Sequence, residues 1–232
     1  MKQQKTNQIS NQKNKQRVDK AKIARTILSW LLIGGGITIL LLVFGPLAKQ
    51  EIIFQYHKLT NKHYYYNNEE EIAETLPKGE KIIPQSTDFG IVIPKINANA
   101  PVFANVDPFK ESEFLPILKK GVAHAKNTSF PGQGENIYLF AHSASGPLQI
   151  KQYNAVFYLL PKLEQGDQII IFYKEKPYSY YVFEKKIIGP EKVNYLEKTG
   201  EEILTLQTCY PAGTTLKRLI IRAKPEIPLD NR

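Results

Sequence analysis

Residues 26–48, TILSWLLIGGGITILLLVFGPLA, carry no charged side chain and are bracketed by Arg25 and Lys49. About 20 apolar residues in a helix cross the hydrocarbon core of a bilayer, so this run is long enough to span one. A cleaved signal peptide has a shorter apolar core and a small-x-small cleavage pattern, which Pro46 spoils ahead of Ala48. The run is therefore expected to be an uncleaved anchor. Charge fixes its expected direction. Of a formal net charge of +9, most sits in residues 1–25, where eight Lys or Arg face a single acid, Asp19. The positive-inside rule then predicts a single-pass plasma-membrane protein, its N-terminus cytoplasmic and everything after residue 48 extracellular. The same asymmetry argues against a nucleic-acid partner, because the remainder of the chain is nearly neutral and a nucleic-acid reader carries its basic residues on the folded domain.

The chain beyond the anchor has room for one well-cored domain. The expected division is a basic cytoplasmic tail at 1–25, an anchor at 26–48, a juxtamembrane linker at 49–87 and a folded domain at 88–232. In the linker Ile52, Ile53, Tyr56 and Leu59 recur at helical spacing, so the anchor helix is expected to continue outward. His57 and His63 have no companion ligands there and read as solvated surface residues. Beyond Asp88, short apolar runs alternate with turn residues, the pattern of a mainly β domain. Strands are expected at 90–93, 101–104, 136–141, 168–173, 178–188, 203–208 and 216–223, with a helix over 155–163 ending before Gly166. The simplest architecture is a closed β-barrel with one or two short helices.

A lone cysteine in an exported domain cannot form an intramolecular disulfide, so Cys209 needs another explanation. Side chains two apart on a strand share a face. Leu204, Leu206 and Thr208 suit the core, which leaves Thr205, Gln207 and Cys209 on the outer face and the thiol at a strand end. The six residues to the next strand favour an antiparallel pair, bringing Arg218 to the same outer surface. His142 closes the segment ENIYLFAH and by parity accompanies Tyr138 and Phe140, a face suited to an apolar groove. A cysteine, an arginine and a histidine gathered this way suit nucleophilic acyl transfer. A neighbouring cation favours the thiolate, imidazole can protonate a leaving amine, and guanidinium can stabilise a tetrahedral oxyanion.

These segments carry a family resemblance. TLQTC at 205–209 resembles the TLxTC signature of sortases, FAHSA resembles the segment around their catalytic histidine, and KRLIIRA at 217–223 resembles the strand bearing their arginine. GVAHAKNTSFPGQGEN at 121–136 is also similar, so the likeness runs over residues 88–224 and includes the domain order. It implies a closed eight-stranded barrel in which Cys209 is the nucleophile, His142 the acid or base, and Arg218, rather than Arg222, the oxyanion or substrate-positioning residue. It further implies cleavage of an LPxTG-like sorting signal between Thr and Gly. Partners would be surface proteins bearing that signal and an amine on a cell-wall precursor or a pilin lysine. Thr205, Thr208 and Ala141 would help shape the groove, while His124 reads as structural. Some sortases bind calcium through acidic loops, but Glu111 and Glu113 are too sparse a cluster, so no metal or other cofactor is expected. Two other readings share parts of this pattern: a catalytically idle, membrane-tethered binding barrel, and a hydrolytic cysteine peptidase.

Overall fold

The structure, a computed structural model, describes residues 2–59, 63–65, 79–143 and 156–226. They fall into two compact units, residues 1–46 and 47–232. The described residues of the first unit are helical, part of α1 (Lys2–Leu59), and the stretch Arg25–Leu42 is long and apolar enough to cross a membrane. That helix fits a single-pass anchor.

In the second unit α1 runs on to Leu59, but the helically spaced residues do not make its contact. Ile52, Tyr56 and Leu59 are exposed, and Phe54 instead packs against the barrel core. Lys162 Nζ lies over the Phe54 ring and bonds Glu51 Oε1 at 2.7 Å. The side chains of His57 and His63 lie outside the described residues.

Two three-residue strands, β1 (His63–Tyr65) and β2 (Gly79–Lys81), pair in parallel ahead of the barrel. Eight strands then close on themselves: β3 (Phe89–Ile93), β4 (Ala98–Val106), β5 (Val122–Ala125), β6 (Asn136–Phe140), β7 (Gln168–Tyr173), β8 (Lys176–Ile188), β9 (Ile203–Tyr210) and β10 (Lys217–Pro225). Their order around the barrel is β10-β8-β7-β3-β4-β5-β6-β9. Among these described barrel strands, β4 with β5 and β6 with β9 run parallel and the other neighbours antiparallel.

Periodicity explains where each strand turns its side chains. On β9, Leu204 and Leu206 are fully buried and point into the core cluster with Ile137, Leu139, Leu219 and Ile221. Each such side chain contributes about 1.5–3 kcal/mol when withdrawn from water. β7 reads QIIIFY with no polar alternation because both its faces are covered. Ile169 and Ile171 enter the main core, while Ile170 and Phe172 pack outside with Ile82 and Val92.

Three expectations change. Strand β5 is an addition: its small residues and a histidine, VAHA, give no strand signal for lack of large apolar side chains. The helix α2 (Glu111–Leu118) is a second addition, being only two turns long with Pro116 inside it. The helix expected at 155–163 is absent over its described part. Residues 156–159 form turns and Leu160–Lys162 a single 3₁₀ turn, with Phe157, Leu160 and Leu163 buried. Residue 155 lies outside the described residues. Pro161 removes a backbone donor that a longer helix needs.

A pair of carboxylates ties the loop before β6 to the segment before β9. Glu202 accepts from the amides of Gly132 (3.2 Å) and Gly134 (3.0 Å) and from the Tyr180 hydroxyl (2.7 Å). Glu135 reciprocates, accepting from the amides of Thr199 (2.9 Å) and Gly200 (3.1 Å). Gly132 and Gly134 take φ of +81° and +76°, where a side chain would be strained. This interlock fixes the base of β6 and β9, the two strands whose far ends carry His142 and Cys209.

Candidate active site

Two paired strands lay Cys209 and Arg218 side by side. In the β9–β10 register Cys209 stands directly opposite Arg218, and Ile188 of β8 lies on the other side of that arginine. Directly opposed residues share a face with Cβ atoms about 4.5–5.5 Å apart. The antiparallel pairing expected from the short connection is thus present. β6 runs parallel to β9, with Tyr138 opposite Thr205 and Phe140 opposite Gln207. Two bonds carry this pairing past the end of β6. The Ala141 amide donates to the Gln207 carbonyl at 3.2 Å, and the Thr208 hydroxyl donates to the Ala141 carbonyl at 2.9 Å. These bonds join the residue directly before His142 to the two residues directly before Cys209.

The outer face leading to His142 is covered. Tyr138 and Phe140 join a second apolar cluster with Val106, Leu118, Ala123 and Ala125, roofed by α2 through Phe114 and Ile117 and by Tyr195 and Leu196. The apolar groove expected along that face is therefore filled by the protein itself. The reactive row emerges only at the barrel rim, where Cys209, His142 and Arg218 are all partly exposed.

Burial governs the protonation of this row. The Cys209 thiol is pushed up by desolvation, with the Arg218 charge pulling partly the other way, and burial holds His142 below the usual imidazole range. The resting pair at neutral pH is thus a neutral thiol and a neutral imidazole. The guanidinium favours the thiolate, as expected of a neighbouring cation, and desolvation is the larger effect. Arg218 also acts on Tyr138, whose hydroxyl is raised by burial and lowered by the guanidinium. Arg218 donates to the carbonyl of Thr215 (3.0 Å) in the β9–β10 loop and to that of Lys217 (3.1 Å), the first residue of β10.

The second arginine of the strand is otherwise engaged. Arg222 bonds Glu184 at 3.0 Å and lies over the rings of Phe183 and Tyr195. Ala141, Thr205 and Thr208 present almost nothing to solvent. Ala141 belongs to the barrel core, and Thr205 is occupied beneath the surface with Asn136 Oδ1 at 2.8 Å. As groove-lining side chains all three are displaced: their contribution is made from below, Thr208 by pinning the His142 segment. His124 is fully buried, stacked on Phe130 at 4.5 Å between centroids, donating from Nε2 to the Ser129 carbonyl at 2.9 Å and accepting the Asn105 amide on Nδ1. Glu113 is engaged by the Asp107 amide at 3.1 Å. Among the described residues no three His, Cys, Asp or Glu side chains converge as a metal site would.

One contact escapes the sequence reading. Parity places Tyr138 and Gln207 on the outer face, yet only the parallel register reveals that the Tyr138 hydroxyl donates to Gln207 Oε1 at 2.5 Å.

The family model described as Sortase domain matches residues 91–226. The chain belongs to the sortase family. Sortase D of Bacillus subtilis (strain 168) is 31% identical over 136 residues, 57% of this chain and 60% of that protein. Sortase A of Listeria monocytogenes serovar 1/2a is 25% identical over 219 residues, 85% of this chain and 89% of the relative. Among solved structures, Streptococcus agalactiae Sortase C1 superposes with a TM-score of 0.51 at 29% identity, covering 62% of this chain and 69% of that one. The matched region holds all eight barrel strands but the first two residues of β3, and with them the Cys209 row. Sortase membership agrees with the closed eight-stranded barrel.

Proposed function

We propose that this sortase-family chain is a membrane-anchored cysteine transpeptidase that cleaves an LPxTG-like sorting signal between Thr and Gly and passes the acyl group to an amine. The observation that carries the reading is the register placing Arg218 directly across from Cys209, with the His142 segment stitched to Thr208 on the other side. Residues 88–232 are the catalytic domain, 49–87 the linker and 26–48 the anchor. The basic residues 1–25 lie in the cytoplasm and the barrel outside the cell. Surface proteins with a C-terminal signal are the donors, and a cell-wall precursor or pilin lysine supplies the amine.

The chemistry is set by the protonation of the row. Proton transfer from Cys209 to His142 creates a thiolate and an imidazolium, and Sγ attacks the carbonyl carbon of the scissile amide. Arg218 has five N–H donors in a planar fork, so it can keep a loop carbonyl and still donate to the developing oxyanion. Collapse breaks the C–N bond, His142 gives its proton to the departing amine, and a thioester on Cys209 remains. An incoming amine attacks that thioester, His142 takes its proton, and the cysteine leaves as thiolate. One amide is exchanged for another without water. Incubating the protein with an LPxTG-like peptide should give a Cys209 adduct by mass spectrometry, absent in Cys209→Ala, and added amine should convert it to the amide product. No adduct with any signal peptide, or release to water alone despite abundant amine, would overturn the reading.

A further inference from the structure

We infer that Gln207 is a positioning residue that reads the main chain of the acyl half of the substrate, its side chain held ready by Tyr138. Gln207 lies two residues before Cys209 on the same outer face of β9 and is only partly buried. The Tyr138 hydroxyl, itself buried, donates to its Oε1 at 2.5 Å. That bond uses the acceptor end of the amide and leaves the two N–H donors of Nε2 for a ligand. It also removes much of the rotamer freedom that a ligand would otherwise have to freeze.

This role rests on the transpeptidase reading and on a match of periods. An extended peptide and a β-strand both advance about 3.3 Å per residue, so residues two apart repeat at about 6.7 Å. With the scissile carbonyl at Cys209, a main-chain group two residues away stands over Gln207. Direction is set by what must leave. The amine half departs and is replaced, which requires the open rim beyond Tyr210. The acyl half stays covalently held and runs back only over the partly exposed end of β9, at Gln207. Gln207 Nε2 therefore donates to the main-chain carbonyl two residues before the scissile carbonyl, and selects an extended backbone there whatever its side chain.

The test uses the full-length protein in detergent and the signal peptide that forms the Cys209 adduct. Gln207→Met keeps the side-chain length and removes the donors. It should raise KM about 3- to 10-fold, the range of one neutral hydrogen bond, with kcat nearly unchanged. Tyr138→Phe should give a smaller rise in KM. The decisive readout is a substrate in which the amide joining the third and second residues before the scissile bond is replaced by an ester, a poorer carbonyl acceptor. The wild type should lose several-fold in kcat/KM on this change and Gln207→Met should not, a coupling that a merely structural role for Gln207 would not produce. An equal ester penalty in both proteins, with the adduct intact, overturns this inference alone. Failure of the wild type to form any adduct removes the transpeptidase reading and this inference with it.

Discussion

Replacing each strand β10 arginine in turn separates chemistry from stability. Arg218 faces Cys209, and its two bonds go to the carbonyls of Thr215 and Lys217 at a partly exposed site. Losing them costs the fold little, at most about 1 kcal/mol. An oxyanion donor is a different matter, because its interaction exists only in the transition state, and removing one costs about 2.7–4 kcal/mol, or 10²–10³ in kcat. Arg222 has the opposite profile. Its pair with Glu184 leaves the two side chains 22% and 20% exposed, and it also covers the rings of Phe183 and Tyr195. An ion pair of this kind and a ring contact together contribute about 1–2 kcal/mol. For a domain of this size that is a fall of about 2–8 °C in Tm. Arg218→Ala should therefore lose at least 10²-fold in transpeptidation of a fluorogenic signal peptide while melting within a few degrees of wild type. Arg222→Ala should melt lower and turn over normally. If Arg218→Ala stays within about threefold of wild-type kcat, or the kinetic loss appears in Arg222→Ala instead, the assignment of the oxyanion donor is wrong.

The protonation of the row predicts the shape of the pH profile. His142 is lowered by burial and Cys209 raised by burial against Arg218. The acid limb of kcat/KM should thus fall below pH ~6.5 and the alkaline limb above pH ~8.5, the ordinary imidazole and thiol values. Iodoacetamide alkylation of Cys209 should keep rising with pH past that thiol range and become slower at fixed pH in Arg218→Ala. An acid limb above the ordinary imidazole value would contradict the burial argument. Thr208→Val keeps the shape of a buried side chain but deletes the hydroxyl that holds the Ala141 carbonyl. A loss of about 1–3 kcal/mol by chemical denaturation is expected, from an unsatisfied buried carbonyl. Turnover should also drop about tenfold, because His142 comes directly after that carbonyl and a small misplacement of a catalytic group is costly; unchanged turnover in a correctly folded Thr208→Val would show that the stitch does not position the histidine.

Much of this protein is legible in one dimension. An uncharged run of bilayer length marks a candidate anchor by composition alone, because lipid demands an unbroken apolar helix. The alternation in ILTLQTC assigns faces without coordinates, since a strand's period of two is local geometry. So Cys209 reads as outward and rim-placed, and Arg218 as its companion, before any fold is known. The sortase-like order of motifs supplies the barrel. Other elements stay hidden for equally physical reasons: VAHA offers too little apolar area to announce a strand, and ESEFLPIL is too short and too interrupted by proline to declare a helix.

Only tertiary structure decides the rest, because the deciding interactions join residues far apart in the chain. Nothing in the local pattern says that α2 roofs the face of Tyr138 and Phe140, so the groove expected there is closed. Nor can spacing reveal that Thr205 and Ala141 sink below the surface while Thr208 ties down a carbonyl 67 residues away. The balance of charges divides the same way. Sequence names the cation next to the thiol, whereas the protonation of that thiol depends on how much water the packed rim excludes, and desolvation outweighs Arg218 there.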